Sequence, residues 1–232
     1  LVDILGMKNF GMELFGFAIS GNMISKVILA AIVVVLNYFF SKFVVFRKKA
    51  KIKEVIIDGD EIFLTTPSEK YFEKIADYRD EFLEEKFMPG CGPLRTTYSL
   101  KKWLEKIASY SSEDTVPSNL VVATQFICVR KSDERLVGMI QVRHSLNDYL
   151  SNYGGHIGYS VRPTERRKGY ANEMLKMSLN YCREIGLEKV LIICAETNEG
   201  SRKTILSNGG IYENTVCEPD KKENRQRYWI EL

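Results

Sequence analysis

The stretch "YGGHIGYSVRPTERRKGYANEMLKMSL", residues 153–179, contains the features that decide the fold of this chain. A glycine pair leads into a short alternating strand, and the strand ends at a cluster of basic residues around Gly169. A helix follows, because apolar residues recur at helical spacing from Ala171 to Cys182. The amides at a helix N-terminus are unpaired and glycine lets the main chain approach a ligand closely. The basic cluster therefore predicts a pyrophosphate site, with a solvated basic turn as the alternative.

Strand and helix signals alternate on both sides of this stretch, from residue 58 to the C-terminus. Before it we predict a strand at 61–66, helices at 67–86 and 98–110, and a hairpin of strands at 121–130 and 135–146. After it we predict a central strand at 189–195, a further helix and a closing antiparallel pair. This order predicts an α+β domain, α/β-like in its middle, with a mixed and mostly antiparallel sheet.

The first 46 residues differ from the rest because they are almost uncharged. The segment 21–46, "GNMISKVILAAIVVVLNYFFSKFVVF", exceeds the roughly 20 residues that cross a bilayer. Lys26 and Lys42 can reach the two interfaces, which leaves Asn37 as its one awkward polar group. We expect a transmembrane helix there, with a buried core helix of a soluble protein as the alternative.

A basic segment, "RKKAKIK" from Arg47 to Lys53, follows the expected span. Such segments are retained on the cytoplasmic side, so we expect the rest of the chain on the cytoplasmic face of a cell membrane. The pattern "VVVLNYFFSKFVVFRKK" resembles the last transmembrane helix of GtrA-like membrane proteins. The expected organisation is a GtrA-like membrane segment at 1–49, a basic linker at 50–57 and a soluble domain at 58–232. Because the chain begins at Leu1 in mid-pattern, we also expect a piece of a longer protein.

The composition argues against several classes of function. The net charge of +3 is the difference between 33 basic and 30 acidic residues, so no strong field favours nucleic acid. Five cysteines include no CxxC pair, and only two histidines are present, which predicts neither a metal site nor a disulfide scaffold.

Two motifs carry a family resemblance that covers residues 58–232. The sequence RxxGxA at 166–171, after the strand "HIGYSVRP", resembles the acetyl-CoA pyrophosphate loop of the GNAT superfamily of N-acetyltransferases. The segment "ETNEGSRKTILSNGG", residues 196–210, resembles the later GNAT segment in which an Asn contacts the pantetheine arm. The segments "YGGHIGYSVRP" and "ERRKGYA" are similar to segments found in a branch of uncharacterised predicted acetyltransferases. The resemblance implies the GNAT acyl-CoA N-acyltransferase fold, in which acetyl-CoA enters between splayed central strands.

The resemblance also implies which residues hold acetyl-CoA. Main-chain groups of three strand residues would pair with the pantetheine, and the amide of the middle one would hold the oxyanion: Ser160, Val161 and Arg162. The pyrophosphate would lie against the basic loop: Arg166, Arg167, Lys168, Gly169, Tyr170 and Ala171. Asn198 and Ser201 would contact the cofactor arm.

The expected reaction is direct attack of a primary amine on the thioester, which needs a base. We predict His156 as the base or as a water relay, with His144 as its neighbour and Glu196 in reserve. A His156 that merely bonds the following loop is the alternative. Many GNAT enzymes carry a Tyr seven positions after the motif Asn, but this chain has Ile205 there. Tyr212 or water would then protonate the thiolate.

The leading interpretation is therefore an acetyl-CoA-dependent N-acetyltransferase that acts on a small molecule or a peptide. The acceptor would be read by the loops 88–98 and 147–155. A second interpretation is a non-catalytic acyl-CoA-binding module that regulates a GtrA-like polyprenyl-sugar membrane protein, and a third makes the membrane helix the functional part. The sequence does not identify the acceptor. It also does not decide whether the chain forms a homodimer.

Overall fold

The computed structural model describes residues 11–14, 17–45, 50–85, 87–219 and 222–232. The chain divides into two compact units, Leu1–Lys49 and Ala50–Leu232. In the first unit, strands β1 (Gly11–Leu14) and β2 (Phe17–Ser20) pair antiparallel, and helix α1 (Gly21–Val45) follows.

The transmembrane helix that we predicted over 21–46 is not found. A bilayer core about 30 Å thick needs about 20 consecutive, mostly apolar residues in one helix. Within the described ranges, no helix combines that length with that apolarity.

The second unit begins with a five-stranded sheet in which every neighbouring pair is antiparallel. Its strands follow one another in chain order: β3 (Ile56–Asp58), β4 (Ile62–Thr65), β5 (Ala123–Arg130), β6 (Leu136–Arg143) and β7 (Ile157–Val161). β5 and β6 are buried along nearly their whole length because helices cover both faces of the sheet. β3 starts within the segment 50–57, which the sequence analysis assigned to a linker.

Two helices cover one face of this sheet. They are α2 (Phe72–Asp80), which follows a 3-10 turn at Glu69–Tyr71, and α3 (Leu100–Ser109). Tyr78 and Trp103 are fully buried in the core between these helices and the sheet. α2 is shorter than the predicted helix over 67–86, because the chain leaves the helix after Asp80 in tight turns.

A third helix, α4 (Tyr170–Glu184), covers the other face and leads to a three-stranded sheet. The elements that follow are β8 (Lys189–Ala195), α5 (Glu199–Ser207), β9 (Ile211–Glu218) and β10 (Glu223–Glu231). β10 lies between β8 and β9 and is antiparallel to both. The predicted α+β class, with an antiparallel sheet and flanking helices, is confirmed.

The two sheets meet at one end of β7 and β8. The main-chain amide of His156 donates to the Leu191 carbonyl at 2.7 Å, and the Leu191 amide donates to Nδ1 of His156 at 2.9 Å. Further along, β7 and β8 belong to different ladders, and a cleft separates them. The central strands are therefore joined at His156 and spread apart beyond it.

Candidate active site

The cleft between β7 and β8 has a volume of about 1140 Å³. Its walls are β7, the start of α4, the end of β8 and the start of α5, and it continues to residues 87–90 and 149–154 on the other side. The cleft brings together nine of the residues that we predicted to hold acetyl-CoA: Ser160, Val161, Arg166, Arg167, Gly169, Tyr170, Ala171, Asn198 and Ser201.

The ladder between β6 and β7 decides which main-chain groups of β7 face the cleft. The Arg162 amide donates to the Val137 carbonyl at 2.9 Å, and the Arg143 amide donates to the His156 carbonyl at 2.8 Å. Main-chain groups of successive strand residues point to opposite sides. The amide and carbonyl of Val161 therefore point toward the cleft, whereas those of Ser160 and Arg162 point toward β6.

Arg162 does not reach the cleft at all, which corrects the prediction that it binds the cofactor. Its guanidinium is completely buried and donates to Asp77 at 2.8 Å and Glu81 at 2.6 Å. Its Nε donates to the Leu136 carbonyl at 2.8 Å. The sequence could not separate this arginine from its basic neighbours, because the carboxylates that bind it lie about 80 residues earlier.

The loop before α4 presents unpaired main-chain amides, the geometry that the predicted pyrophosphate site needs. Gly169 is the N-cap of α4 and has a φ of 90°, and Arg167 has a φ of 63°, a conformation that costs energy in a residue with a Cβ. The amides of Asn172 and Glu173 already bond the Gly169 carbonyl, so those of Tyr170 and Ala171 lie at the unpaired helix start. A Cβ at Gly169 would have no atom within 4 Å, so the loop stands open to a ligand.

The basic residues of this loop have different partners. Arg166 binds Glu85 at 2.9 Å, and Lys168 binds the buried Glu165 at 2.8 Å. Arg167 is exposed and has no carboxylate within 4.0 Å among the described residues. Lys168 does not line the cleft, and its ammonium group stabilises the loop through Glu165; the predicted contact of its main-chain NH with the pyrophosphate stays a prediction. Arg167 is the loop side chain whose charge remains for a phosphate.

The start of α5 forms the opposite wall. Asn198 is the N-cap of α5, and its Oδ1 accepts a hydrogen bond from the Ser201 amide at 3.0 Å. The Ser201 hydroxyl lies 2.9 Å from the hydroxyl of Tyr159 on β7, so these two side chains connect the walls of the cleft. Burial raises the pKa of Tyr159 to about 12. The sequence analysis missed Tyr159, although the alternation of "HIGYSVR" places it on the same face as Val161.

His156 cannot act as the predicted base. Its side chain is buried, and burial followed by the charge of Arg143 lowers its pKa to about 4. Because its Nδ1 accepts a hydrogen bond from the Leu191 amide, the ring proton is on Nε2 and no nitrogen is left to accept a proton. The imidazole joins β7 to β8 and does not line the cleft.

The other three candidates for proton transfer also lie outside the cleft. His144 Nε2 lies 2.9 Å from the Thr124 hydroxyl, which contacts Tyr181 of α4, and burial lowers the pKa of His144. Glu196 is exposed and accepts a hydrogen bond from Asn224 at 2.9 Å. Tyr212 is exposed on β9. These positions contradict their predicted roles, because none of the three side chains faces the space between β7 and β8.

The far half of the cleft contains residues from both loops that we predicted to read the acceptor. Gly90 lies directly on β7: a Cβ there would come within 2.5 Å of the Tyr159 Cα. Buried Gln125 donates to the Gly90 carbonyl at 2.6 Å and holds this loop in place. The rings of Tyr149 and Tyr153 lie 5.7 Å apart on the other loop. In the described part of the chain, no group of His, Cys, Asp and Glu side chains could hold a metal ion.

Comparison with known proteins agrees with this fold and cleft. The family described as "Acetyltransferase (GNAT) domain" matches residues 61–211. The chain belongs to this family and is an acetyltransferase. The match begins after the segment 1–49, so the GtrA-like resemblance of that segment stays a prediction. No curated protein matches the chain.

Solved structures of acetyltransferases share the fold at low sequence identity. A ribosomal-protein-S5-alanine acetyltransferase from Vibrio fischeri is 15% identical with a TM-score of 0.58, over 76% of this chain and 96% of that one. A ribosomal L7/L12 α-N-protein acetyltransferase in complex with coenzyme A is 13% identical with a TM-score of 0.59, over 77% and 98%. A chimera of the spermidine N-acetyltransferase from Vibrio cholerae is 14% identical with a TM-score of 0.52, over 74% and 96%. At these identities the likeness concerns the fold alone.

Proposed function

We propose that this chain transfers an acetyl group from acetyl-CoA to a primary amine of a small molecule or a peptide. The observation that carries the proposal is the opening between β7 and β8, with the Val161 amide on one wall and the start of α4 at its end. An extended pantetheine arm fits between spread strands, because it can use the main-chain groups that the ladders leave unpaired.

Each part of the cleft has a distinct task in the proposed reaction. The amides of Tyr170 and Ala171 bind the pyrophosphate, and Arg167 supplies countercharge. The Val161 amide donates to the thioester oxygen as negative charge develops during attack by the amine. Removing one such donor typically costs about 100- to 1,000-fold in rate. The walls at Asn198 and Ser201 hold the cofactor arm in the orientation that exposes its carbonyl carbon.

The amine must lose its proton without help from an imidazole, because neither histidine faces the cleft. The α-amino group of a peptide has a reference pKa of about 8, against about 10.4 for a lysine side chain. A useful fraction of such an α-amine is neutral at physiological pH. This favours acceptors with a weakly basic amine, whose proton leaves to water.

The leaving thiolate takes its proton from water in this proposal. Ile205 is fully buried at the position where related enzymes carry Tyr, and Tyr159 is the phenol on the cleft wall near Ser201. The pKa of Tyr159, raised to about 12 by burial, is well above the thiol reference of about 8.5. Proton transfer from this phenol to a thiolate would be uphill, so Tyr159 positions the arm rather than acting as the acid.

The test is CoA release by the whole chain against a panel of amines, amino acids, amino sugars and peptides, with acetyl-CoA binding followed in parallel. We expect release that depends on the acceptor. Tight binding without release from any acceptor would favour the rival, a non-catalytic acyl-CoA-binding module, for which Ile205 in place of Tyr is the motivating observation.

A further inference from the structure

Arg143 is a cation in the far half of the cleft that lacks a carboxylate partner. It is the last residue of β6, and its Nη1 donates to the carbonyls of Gly154 at 3.1 Å and Gly155 at 2.9 Å. Across the residues that the structure describes, no Asp or Glu oxygen lies within 4.0 Å of its guanidinium. The carbonyls orient the side chain, but they leave its positive charge uncompensated.

Two other arginines of the cleft are neutralised within the protein, whereas Arg167, the remaining unpaired one among the described residues, lies at the phosphate end. Arg225 binds Glu218 at 3.0 Å and Glu223 at 2.9 Å, and Arg166 binds Glu85 at 2.9 Å. Burial lowers the pKa of Arg143, as expected for a charge that has lost water without gaining a counterion. A charge removed from water is costly unless it is paired. A ligand that brings a carboxylate into the cleft would supply the missing partner.

We propose that Arg143 binds a carboxylate of the acceptor, so that the acceptor is a primary amine that carries an acidic group. The inference rests on the proposed function, because it specifies the substrate of the same cleft. It also separates this chain from enzymes for polycationic acceptors, since a second cation would be repelled by the uncompensated guanidinium.

The position of Arg143 along β7 sets the distance between the two groups of the acceptor. A Cβ at Gly158 would lie 3.6 Å from Arg143 Nη2, so the guanidinium is beside Gly158. Val161, whose amide is proposed to hold the oxyanion, is three residues further, or about 10 Å along the strand. The amine and the carboxylate are therefore separated by up to about 10 Å, the length of roughly two to three extended residues.

This separation favours a peptide N-terminus followed closely by an acidic residue over a free α-amino acid, whose carboxylate is two bonds from its amine. The rings of Tyr149 and Tyr153 stand on the same side of the cleft and can flank the connecting chain. Glycine at position 158 lets the Gly90 loop and Arg143 pack closely on β7, because a Cβ there would lie 3.3 Å from the Gly90 nitrogen.

The experiment compares two acceptors that differ only in charge, Ala-Glu-Ala-amide and Ala-Gln-Ala-amide. We expect wild-type protein to prefer the Glu peptide by about 10- to 100-fold in kcat/KM, the value of a hydrogen-bonded charge pair. Arg143→Gln should lose this preference, so that the ratio of kcat/KM between the Glu and Gln peptides falls to about 1. Arg143→Lys should keep part of the preference, and Arg183→Gln, on the exposed end of α4, should keep all of it.

Failure of the inference is distinguishable from failure of the proposed function. Equal turnover of the two peptides by wild type, or an unchanged preference in Arg143→Gln, would overturn the role of Arg143 and leave the transferase intact. If no peptide is acetylated, peptide binding in the presence of CoA, measured by calorimetry, gives the answer. Tighter binding of the Glu peptide that Arg143→Gln abolishes would support the inference, and equal binding would overturn it. Unchanged acetyl-CoA affinity shows that the variants are folded.

Discussion

His156 provides the sharpest test of the structural reasoning, because the structure gives it a role different from the catalytic one that the sequence indicates. The variant to compare with wild type is His156→Asn. The Asn Oδ1 can take the place of Nδ1 and accept the hydrogen bond from the Leu191 amide. We expect acetyl transfer at pH 7 to change by less than about threefold, because a general base would contribute about 100-fold or more.

The same variant should change how stability depends on pH. The pKa of His156 is about 4 in the folded protein and 6.5 in the unfolded chain. Between these pH values the unfolded chain therefore binds more protons than the folded protein. Stability is then complete above about pH 6.5 and is lost as the pH falls toward 4. At about 1.4 kcal/mol for each pKa unit, the loss approaches about 3 kcal/mol.

Urea unfolding at intervals from pH 7 to pH 4 measures this loss for both proteins. His156→Asn should show a flatter dependence, whereas His156→Ala should cost about 1–3 kcal/mol at pH 7 because it leaves the buried Leu191 amide unpaired. An identical pH dependence in wild type and His156→Asn, or a 100-fold loss of turnover in His156→Asn, would refute the reasoning.

Three further predictions concern the loops and the thiols. Gly169→Ala should raise the Kd for acetyl-CoA about tenfold in calorimetry, because a φ of 90° disfavours Ala and its Cβ would project into the open anion site. An unchanged Kd would contradict an anion site at this loop. Gly90→Ala should lower the free energy of unfolding by about 2–4 kcal/mol in urea titrations, because its Cβ would collide with the main chain of β7; a loss under about 1 kcal/mol would show that the loop moves freely. Exposed Cys217 should be alkylated by iodoacetamide at pH 8 at least about 100-fold faster than Cys91, because burial raises the pKa of Cys91 to about 12. Peptide mass spectrometry follows both rates, and equal rates would show that Cys91 is accessible.

The local patterns of the chain predict much of the fold. Apolar runs such as "KVLIICA" correspond to a strand with the predicted bounds, Lys189–Ala195, since a buried central strand needs an apolar surface on both faces. The turn at Gly169 and the start of α4 are also readable, because they are adjacent in sequence. The limits of α2 could not be read from the sequence, because the end of this helix depends on how Phe82 and the following turns pack against the sheet.

The roles of single side chains depended on contacts that no local pattern reveals. Arg162 and Arg166 are similar in sequence context, yet only Arg162 is enclosed by Asp77 of α2 and by Glu81, which follows that helix. His156 looks like a base beside a cleft, but the amide that occupies its Nδ1 comes from β8, 35 residues later. Arg143 drew no attention in the sequence, since its distinguishing property is the lack of a carboxylate neighbour within the described fold.

The central claim is that the gap between β7 and β8 is the acetyl-CoA site. Amide hydrogen exchange with and without CoA, resolved to short segments by mass spectrometry, tests it most directly. The account predicts added protection at residues 157–161 and 166–172, with little change in β9 or around His144. Tight CoA binding that leaves both segments unprotected would place the cofactor elsewhere and contradict the account.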